Sequence, residues 1–224
     1  MQELSIDVGA HGRASALLQM PSNPVALLVL AHGAGTDMRH TSMQTLADAL
    51  AAAGIATLRY NLPYKEHGRG RPDSPEVATA TVRAACMLAA DLAAGLADGL
   101  PLFAGGRSFG GRMTTLAASQ SPLPGVRGLL LFAFPLHLAG KPAITRAAHL
   151  AQVSIPMLFL QGTRDALATP ALLEGCLQPL PLAQLHWLAE ADHGFKVLKR
   201  SGRTDAEVLH EAATASAAFM SSAS

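Results

Sequence analysis

Cysteine is scarce in this chain: only Cys86 and Cys176 occur among 224 residues. They make no Cys-x-x-Cys pair and no zinc-ligand spacing, so no thiolate metal centre or disulfide scaffold is called for. Both lie among apolar residues in stretches of helical period, where a buried free thiol is the expected state. Aromatic residues are only 4% of the chain, so Ala, Leu and Gly must fill most of the interior. Charge of either sign is also thin. Seventeen basic residues stand against sixteen acidic ones, a formal net charge of +1. A nucleic-acid partner would need a clustered basic face, and none is visible. The apolar run from Val25 to Ala31 is far too short to span a bilayer. The segment from Met1 to Asp7 lacks the basic and apolar regions of a signal peptide. The expectation is a cytoplasmic protein in a reducing compartment, with no membrane and no nucleic acid among its partners.

Nucleotide signatures are missing too. Gly33-Ala34-Gly35 follows a strand candidate, but the third glycine of a dinucleotide fingerprint would fall on Met38. No acid closes the next strand candidate, which ends Leu58-Arg59-Tyr60, and no Gly-Lys-Ser/Thr occurs. No organic cofactor and no metal are expected.

What is present is a set of strand-length apolar runs separated by stretches of helical period. Residues 25–31, 55–60, 102–105, 129–134, 157–161 and 185–189 are strand candidates. The continuous character of 25–31 suits a strand buried on both faces of a parallel sheet. Residues 4–7 and 16–20 can pair as an antiparallel hairpin at one edge, turning through 9–12. Helices are expected over 41–53, 76–96, 109–119, 170–178 and 204–220. Gly54 suits the position just past a helix end, and Ser74-Pro75 reads as an N-cap with proline at the first helical position. Residues 61–74, with Pro63, Pro72, Gly68 and Gly70, read as an irregular loop at the carboxyl ends of the strands. This alternation predicts an α/β fold, a three-layer α/β/α sandwich on a mostly parallel twisted sheet, in one domain spanning residues 1–224.

The sharpest chemical signal is Gly106-Arg107-Ser108-Phe109-Gly110, between a strand candidate and a helix candidate. A serine on a sharp strand-to-helix turn is held in a strained conformation with its hydroxyl projecting clear of the backbone. The flanking glycines let strand and helix approach without a Cβ clash. A Gly-rich turn with a capping serine is the plainer alternative, and the strand-turn-helix context favours a nucleophile.

A serine hydroxyl needs a base and an orienting acid, and in such a layout these follow in the order Asp or Glu, then His. Asp165, in Gln161-Gly162-Thr163-Arg164-Asp165, lies just past one strand candidate. His193, in Ala191-Asp192-His193-Gly194-Phe195, lies just past the last. Glu174 falls within a helix candidate and Glu190 close to the strand, and Asp192 reads as a loop-shaping neighbour of His193. His186, His210, His11 and His149 sit in a strand, a helix, the first turn and ahead of a strand. Only His193 combines late position with a loop setting. Ala31-His32-Gly33-Ala34-Gly35 ends the first long strand where a backbone N–H can complete an oxyanion hole. The N–H groups of Ala34 and Phe109 are the candidate donors.

Together these residues resemble the α/β-hydrolase superfamily along nearly the whole chain. The closer resemblance is to a small dienelactone-hydrolase-like branch of predicted hydrolases, which includes a testis-expressed animal protein and a hydrolase-like subunit of a histone-acetyltransferase complex. The residues that carry it include Ala31-His32-Gly33-Ala34-Gly35, Arg59-Tyr60-Asn61-Leu62-Pro63-Tyr64 and Gly105-Gly106-Arg107-Ser108-Phe109-Gly110-Gly111-Arg112. Phe134-Pro135-Leu136-His137, Gly140-Lys141-Pro142, Gln161-Gly162-Thr163-Arg164-Asp165 and Asp192-His193 complete it. The resemblance implies a serine nucleophile, where dienelactone hydrolases proper use cysteine. It leaves the substrate open.

The stretch after Phe134, where such folds commonly insert a lid, has room only for a short helix near 145–150. A minimal lid implies a shallow site suited to a small-molecule acyl substrate. Gly33, Arg59, Asn61, Tyr64, Arg107 and His137 are the candidate substrate contacts. Arg59, Arg107, Arg112, Lys141 and Arg164 all flank the expected rim, where some would favour an anionic substrate. Arg107 and Arg112 either serve that role or pair with nearby carboxylates or carbonyls. His137 either faces the pocket or caps a turn. The expected activity is hydrolysis of a small carboxylic ester or thioester through an acyl-enzyme, by a monomer or homodimer. The rival readings are an idle protein-binding scaffold and a peptidase.

Overall fold

Successive side chains on a strand point to opposite faces, so a strand that is apolar throughout must be covered on both sides. In the computed structural model, which describes residues 1–95 and 99–223, this holds for β3 (Ala26–Ala31). Leu27, Val29 and Ala31 enter one hydrophobic cluster, and Ala26, Leu28 and Leu30 enter the other. The remaining strands are β1 (Gln2–Asp7), β2 (Arg13–Gln19), β4 (Ile55–Tyr60), β5 (Leu102–Arg107), β6 (Val126–Phe132), β7 (Met157–Gly162) and β8 (Ala183–Leu188). They form one eight-stranded sheet in the order β1-β2-β4-β3-β5-β6-β7-β8. Only β2 runs against its neighbours, and all other pairings are parallel.

The helices are α1 (Thr41–Ala52), α2 (Pro63–Glu66), α3 (Pro75–Ala94), α4 (Phe109–Gln120), α5 (Pro170–Leu177) and α6 (Asp205–Ser222). Met43, Leu46 and Leu50 of α1 and Val208, Ala212 and Phe219 of α6 cover one face. Ala78, Val82 and Ala85 of α3, Met113 and Ala117 of α4, and Leu173 and Leu177 of α5 cover the other. The result is a three-layer α/β/α sandwich. By length and composition α3 is apolar enough to cross a membrane, yet its Ala78, Val82, Ala85, Cys86 and Ala89 are buried against the sheet, as in a core helix.

Local chemistry sets the helix ends. The Ser74 hydroxyl accepts from the Val77 N–H ahead of Pro75, and Gly54 takes φ +79° just past α1. Thr204 and Glu207 cap α6 reciprocally. Several element limits differ from the sequence reading, and three have a clear physical cause. First, β5 runs on to Arg107, because Gly106 and Arg107 still pair with Leu131 and Phe132. Second, β6 begins at Val126 and stops at Phe132, because Ala133 turns to φ +56°. Third, α2 sits within the expected irregular stretch; a single turn is too short to show a helical period. The expected end of the third helix, Leu96, lies outside the described residues.

A 3-10 helix, Thr145–Gln152, is the only helical segment between β6 and β7 among the described residues. It packs on α4, where the Thr115 hydroxyl meets His149 Nε2 at 2.8 Å. Burial, and then the Arg112 charge, push the His149 pKa from 6.5 down to about 4. The folded chain therefore holds this ring neutral while the unfolded chain protonates it first on acidification. Its contribution to stability is intact above pH 6.5 and is lost as pH falls from 6.5 toward 4. Urea midpoints should decline across that window, and His149→Gln should make the decline shallower. A second expectation concerns Gly105, where a Cβ would stand 1.9 Å from the Leu130 carbonyl oxygen of the adjacent strand. Backbone cannot yield as a side-chain tip can, so Gly105→Ala should cost about 3 kcal/mol in urea unfolding.

Candidate active site

The turn from β5 into α4 is crowded on every side. A Cβ on Gly106 would approach the Ala31 carbonyl oxygen to 2.7 Å, and one on Gly110 would reach the His32 carbonyl oxygen at 2.5 Å. A Cβ on Gly111 would lie 2.6 Å from the Gly106 carbonyl oxygen. Strand, turn and helix therefore meet with no room for side chains. The residue at the apex, Ser108, takes φ 50° and ψ −116°, outside the regions that L-residues favour. Its N–H is held by the Phe132 carbonyl at 2.9 Å, and its own carbonyl accepts from the Arg112 N–H at 3.0 Å. The hydroxyl is left half-buried at the carboxyl edge of the sheet.

Two other loops meet it there. His193 Nε2 lies 2.9 Å from Ser108 Oγ, and its Nδ1 lies 2.7 Å from Asp165 Oδ2. A carboxylate can only accept, so Nδ1 carries the ring proton and Nε2 faces the hydroxyl with its lone pair. The Asp165 side chain is fully buried, against 28% exposure for His193. Gln161 Nε2 donates to Asp165 Oδ2 and the Leu167 N–H donates to Oδ1, so both carboxylate oxygens are engaged. Gly162 lets the two loops approach: a Cβ there would stand 2.3 Å from the Ala191 carbonyl oxygen. Asp192 shapes the histidine loop, accepting from the Gly194 and Lys196 N–H groups at 2.7 and 2.9 Å.

The loop after β3 faces the same hydroxyl. A Cβ on Gly33 would come 3.8 Å from Ser108 Cβ. The Gly33 carbonyl accepts from the Thr36 N–H and hydroxyl, both at 3.2 Å, and from His32 Nδ1 at 2.8 Å. His32 Nε2 accepts from the Leu62 N–H at 3.1 Å, which fixes the proton on Nδ1. Burial lowers the pKa of this ring, so the neutral form persists. In a trans peptide C=O and N–H point opposite ways, so clamping the Gly33 oxygen turns the Ala34 N–H to the other side. Tyr64 adds a hydrogen bond from its hydroxyl to the Ala34 carbonyl at 2.7 Å.

The remaining candidates divide. Arg59 is wholly buried and so is not at the rim. It donates to the Met38 carbonyl and to Gln44 and Gln19, beneath α1. Asn61 Oδ1 accepts from the Met38 N–H at 2.9 Å and holds the same loop. His137 is buried and turned inward, with Nε2 accepting from the Thr169 N–H and Nδ1 meeting the Leu138 carbonyl. Arg107 donates to the His193 carbonyl at 3.3 Å and lies 5.4 Å from the Phe195 ring centre, bracing the histidine loop. Phe109 opens α4 immediately after Ser108.

Sequence reasoning did not single out His32, Thr36, Gln161 or Gly162 for what they do. Each acts through a partner distant in the fold or through a backbone atom, and no local pattern marks such a contact. Among the described residues no group of three or more His, Cys, Asp or Glu is placed to hold a metal ion.

An alpha/beta serine hydrolase homologue from Coxiella burnetii superposes with a TM-score of 0.74 at 19% identity over 96% of each chain. A dienelactone hydrolase from Anabaena variabilis gives 0.73 at 22% identity, over 99% of this chain and 98% of that one. A serine hydrolase without a lid from Xanthomonas campestris gives 0.67 at 21% identity, over 94% and 92%. At these identities the likeness is one of fold. A family model described as alpha/beta hydrolase domain matches residues 24–221, and the chain belongs to that family.

Proposed function

We propose that this protein is a serine hydrolase that cleaves a small carboxylic ester or thioester through an acyl-enzyme. The observation that carries the reading is the continuous hydrogen-bonded line from Ser108 Oγ through His193 to Asp165, at 2.9 and 2.7 Å. Ser108 Oγ attacks the carbonyl carbon as its proton passes to His193 Nε2. Asp165 holds the ring in the correct tautomer and offsets the charge it gains. The carbonyl oxygen becomes an oxyanion, taken up by the N–H groups of Ala34 and Phe109. Collapse of this intermediate expels the alcohol or thiol, which leaves with the His193 proton. Water then attacks the acyl-serine, giving a proton to His193, and Ser108 recovers its hydroxyl as the acid departs.

Several features support this assignment. The Ala34 N–H is turned away from a clamped carbonyl, and the Gly33 backbone lies against Ser108. Phe109 sits at the first position of α4, where helix N–H groups have no intrahelical acceptor. The short 3-10 segment between β6 and β7 leaves the rim open, which favours short acyl groups.

A fluorophosphonate probe should label the native protein and fail to label Ser108→Ala. An unlabelled native protein would instead favour a protein-binding scaffold. Asp165→Asn should lower kcat about 10⁴-fold, because the amide favours the wrong imidazole tautomer. Tyr64→Phe should lower kcat about threefold to tenfold with KM little changed, the worth of one hydrogen bond behind the Ala34 peptide. Short 4-nitrophenyl carboxylates should turn over faster than long ones in steady-state assays.

A further inference from the structure

The basic side chains flanking the site are not equivalent. Arg59 is spent beneath α1, Arg107 braces the histidine loop, and Arg164 donates to the Glu190 carbonyl at 3.0 Å. Arg112 is different. Its guanidinium makes neither an ion pair nor a hydrogen bond among the described residues, and its Nε, like that of Arg59, is buried without a partner. The charge of Arg146, of the same sign, reaches it. Burial and this neighbour together push the guanidinium pKa down. Two arginines brought together with no carboxylate between them repel each other, and the arrangement becomes favourable when an anion bridges them.

Their setting follows from helix geometry. Arg112 and Thr115 are three residues apart on α4 and share a face. Arg146 and His149 are three apart in the 3-10 helix Thr145–Gln152, where residues at that spacing eclipse. The 2.8 Å contact between Thr115 and His149 holds the two elements together, and Arg112 lies within electrostatic reach of both His149 and Arg146. Arg146 also reaches toward the Pro135 and His137 carbonyls at 3.5 and 3.4 Å, in the loop leaving the carboxyl end of β6. Arg112 is one helical turn beyond Ser108, and helical side chains lean toward the N-terminus, here toward the Ser108 end. Both arginines are partly open to solvent.

We propose that Arg112 and Arg146 form an anion subsite beside Ser108 that selects esters or thioesters carrying a carboxylate a few bonds from the scissile carbonyl. The selection of a substrate to be cleaved rests on the serine-hydrolase reading above; the anion site itself does not. A guanidinium presents paired N–H donors that match the two oxygens of a carboxylate, and two guanidinia offset its charge where a neutral group gains nothing. His149 stays neutral near pH 7, so the positive charge comes from the arginines.

The test compares charged and neutral esters of similar length. The first pair is the 4-nitrophenyl monoester of glutarate and 4-nitrophenyl hexanoate; the second is 4-acetoxybenzoate and phenyl acetate, with the charge on the leaving group. At least one pair should show a kcat/KM preference for the charged member that falls with added KCl. Arg112→Gln should reduce that ratio about 10–100-fold, the factor of one charge-assisted hydrogen bond, and Arg112→Lys should restore part of it. Independently of turnover, calorimetric titration of Ser108→Ala with monomethyl glutarate should show binding that weakens at least tenfold when Arg112→Gln is added. Arg112→Gln should melt no lower than the native chain, since it removes a charge without a protein partner. The subsite is overturned if neither pair shows a charge preference, if the ratio is unchanged in Arg112→Gln, or if the titration shows no Arg112-dependent binding. Titration that succeeds where no ester is cleaved would leave the subsite standing and remove the hydrolase reading.

Discussion

Steric exclusion at the β5–α4 turn is the constraint on which the rest of the molecule depends. Ser108 holds a backbone conformation that costs on the order of 1–3 kcal/mol for a non-glycine residue. It persists because β3, β6 and the first turn of α4 close in around it. They can do so only where Gly105, Gly106, Gly110 and Gly111 carry no Cβ. The strain is thus offset by the packing of the central strands rather than by local contacts. The same crowding exposes the hydroxyl, since the side chain of a left-handed apex has no direction left but outward.

From that fixed point the other groups are placed by backbone anchors more than by side-chain packing. The carboxylate of Asp165 is immobilised by Gln161 and the Leu167 N–H before it meets His193. The histidine loop is turned by Glu190 and Phe195, at φ +62° and +59°, and tied internally by Asp192. Gly162 permits these two loops to touch. Across the site the Gly33–Ala34 peptide is oriented by four donors to one carbonyl oxygen. Nothing in this scheme requires a mobile segment to complete it, and among the described residues the connection between β6 and β7 holds one short 3-10 helix.

Much of this was legible in the sequence wherever the signal was local or periodic. The buried strand 25–31, the Ser74-Pro75 helix start and the glycine-flanked serine all declare themselves in a short window. Asp165 and His193 were legible from chain order and from their place just beyond strands. What stayed hidden is what residues do at a distance. Arg59 and Arg107 read as rim cations, yet one is buried under α1 and the other serves the His193 carbonyl. His32 owes its place to the Leu62 N–H thirty residues away and to the Gly33 carbonyl, contacts that no local pattern announces. His137 turned out to be a buried turn residue because Thr169 supplies a donor that no pattern announces. Strand limits slipped for a related reason: Ala133 breaks β6 by its φ, and alanine carries no signal for that.

The arginines make the same point about energy. A buried cation is ordinarily retained only with a partner, because desolvation costs several kcal/mol. Arg59 meets this demand with neutral acceptors and Arg107 with a carbonyl and a ring face. Arg112, one turn into the helix that Ser108 precedes, is only partly buried but has neither, and the like charge of Arg146 reaches it. An apolar side chain there would avoid the cost of an unpartnered cation, and an anion bound beside Arg112 would offset it. Selectivity for a charged substrate would then follow from one unpaired guanidinium beside a like charge.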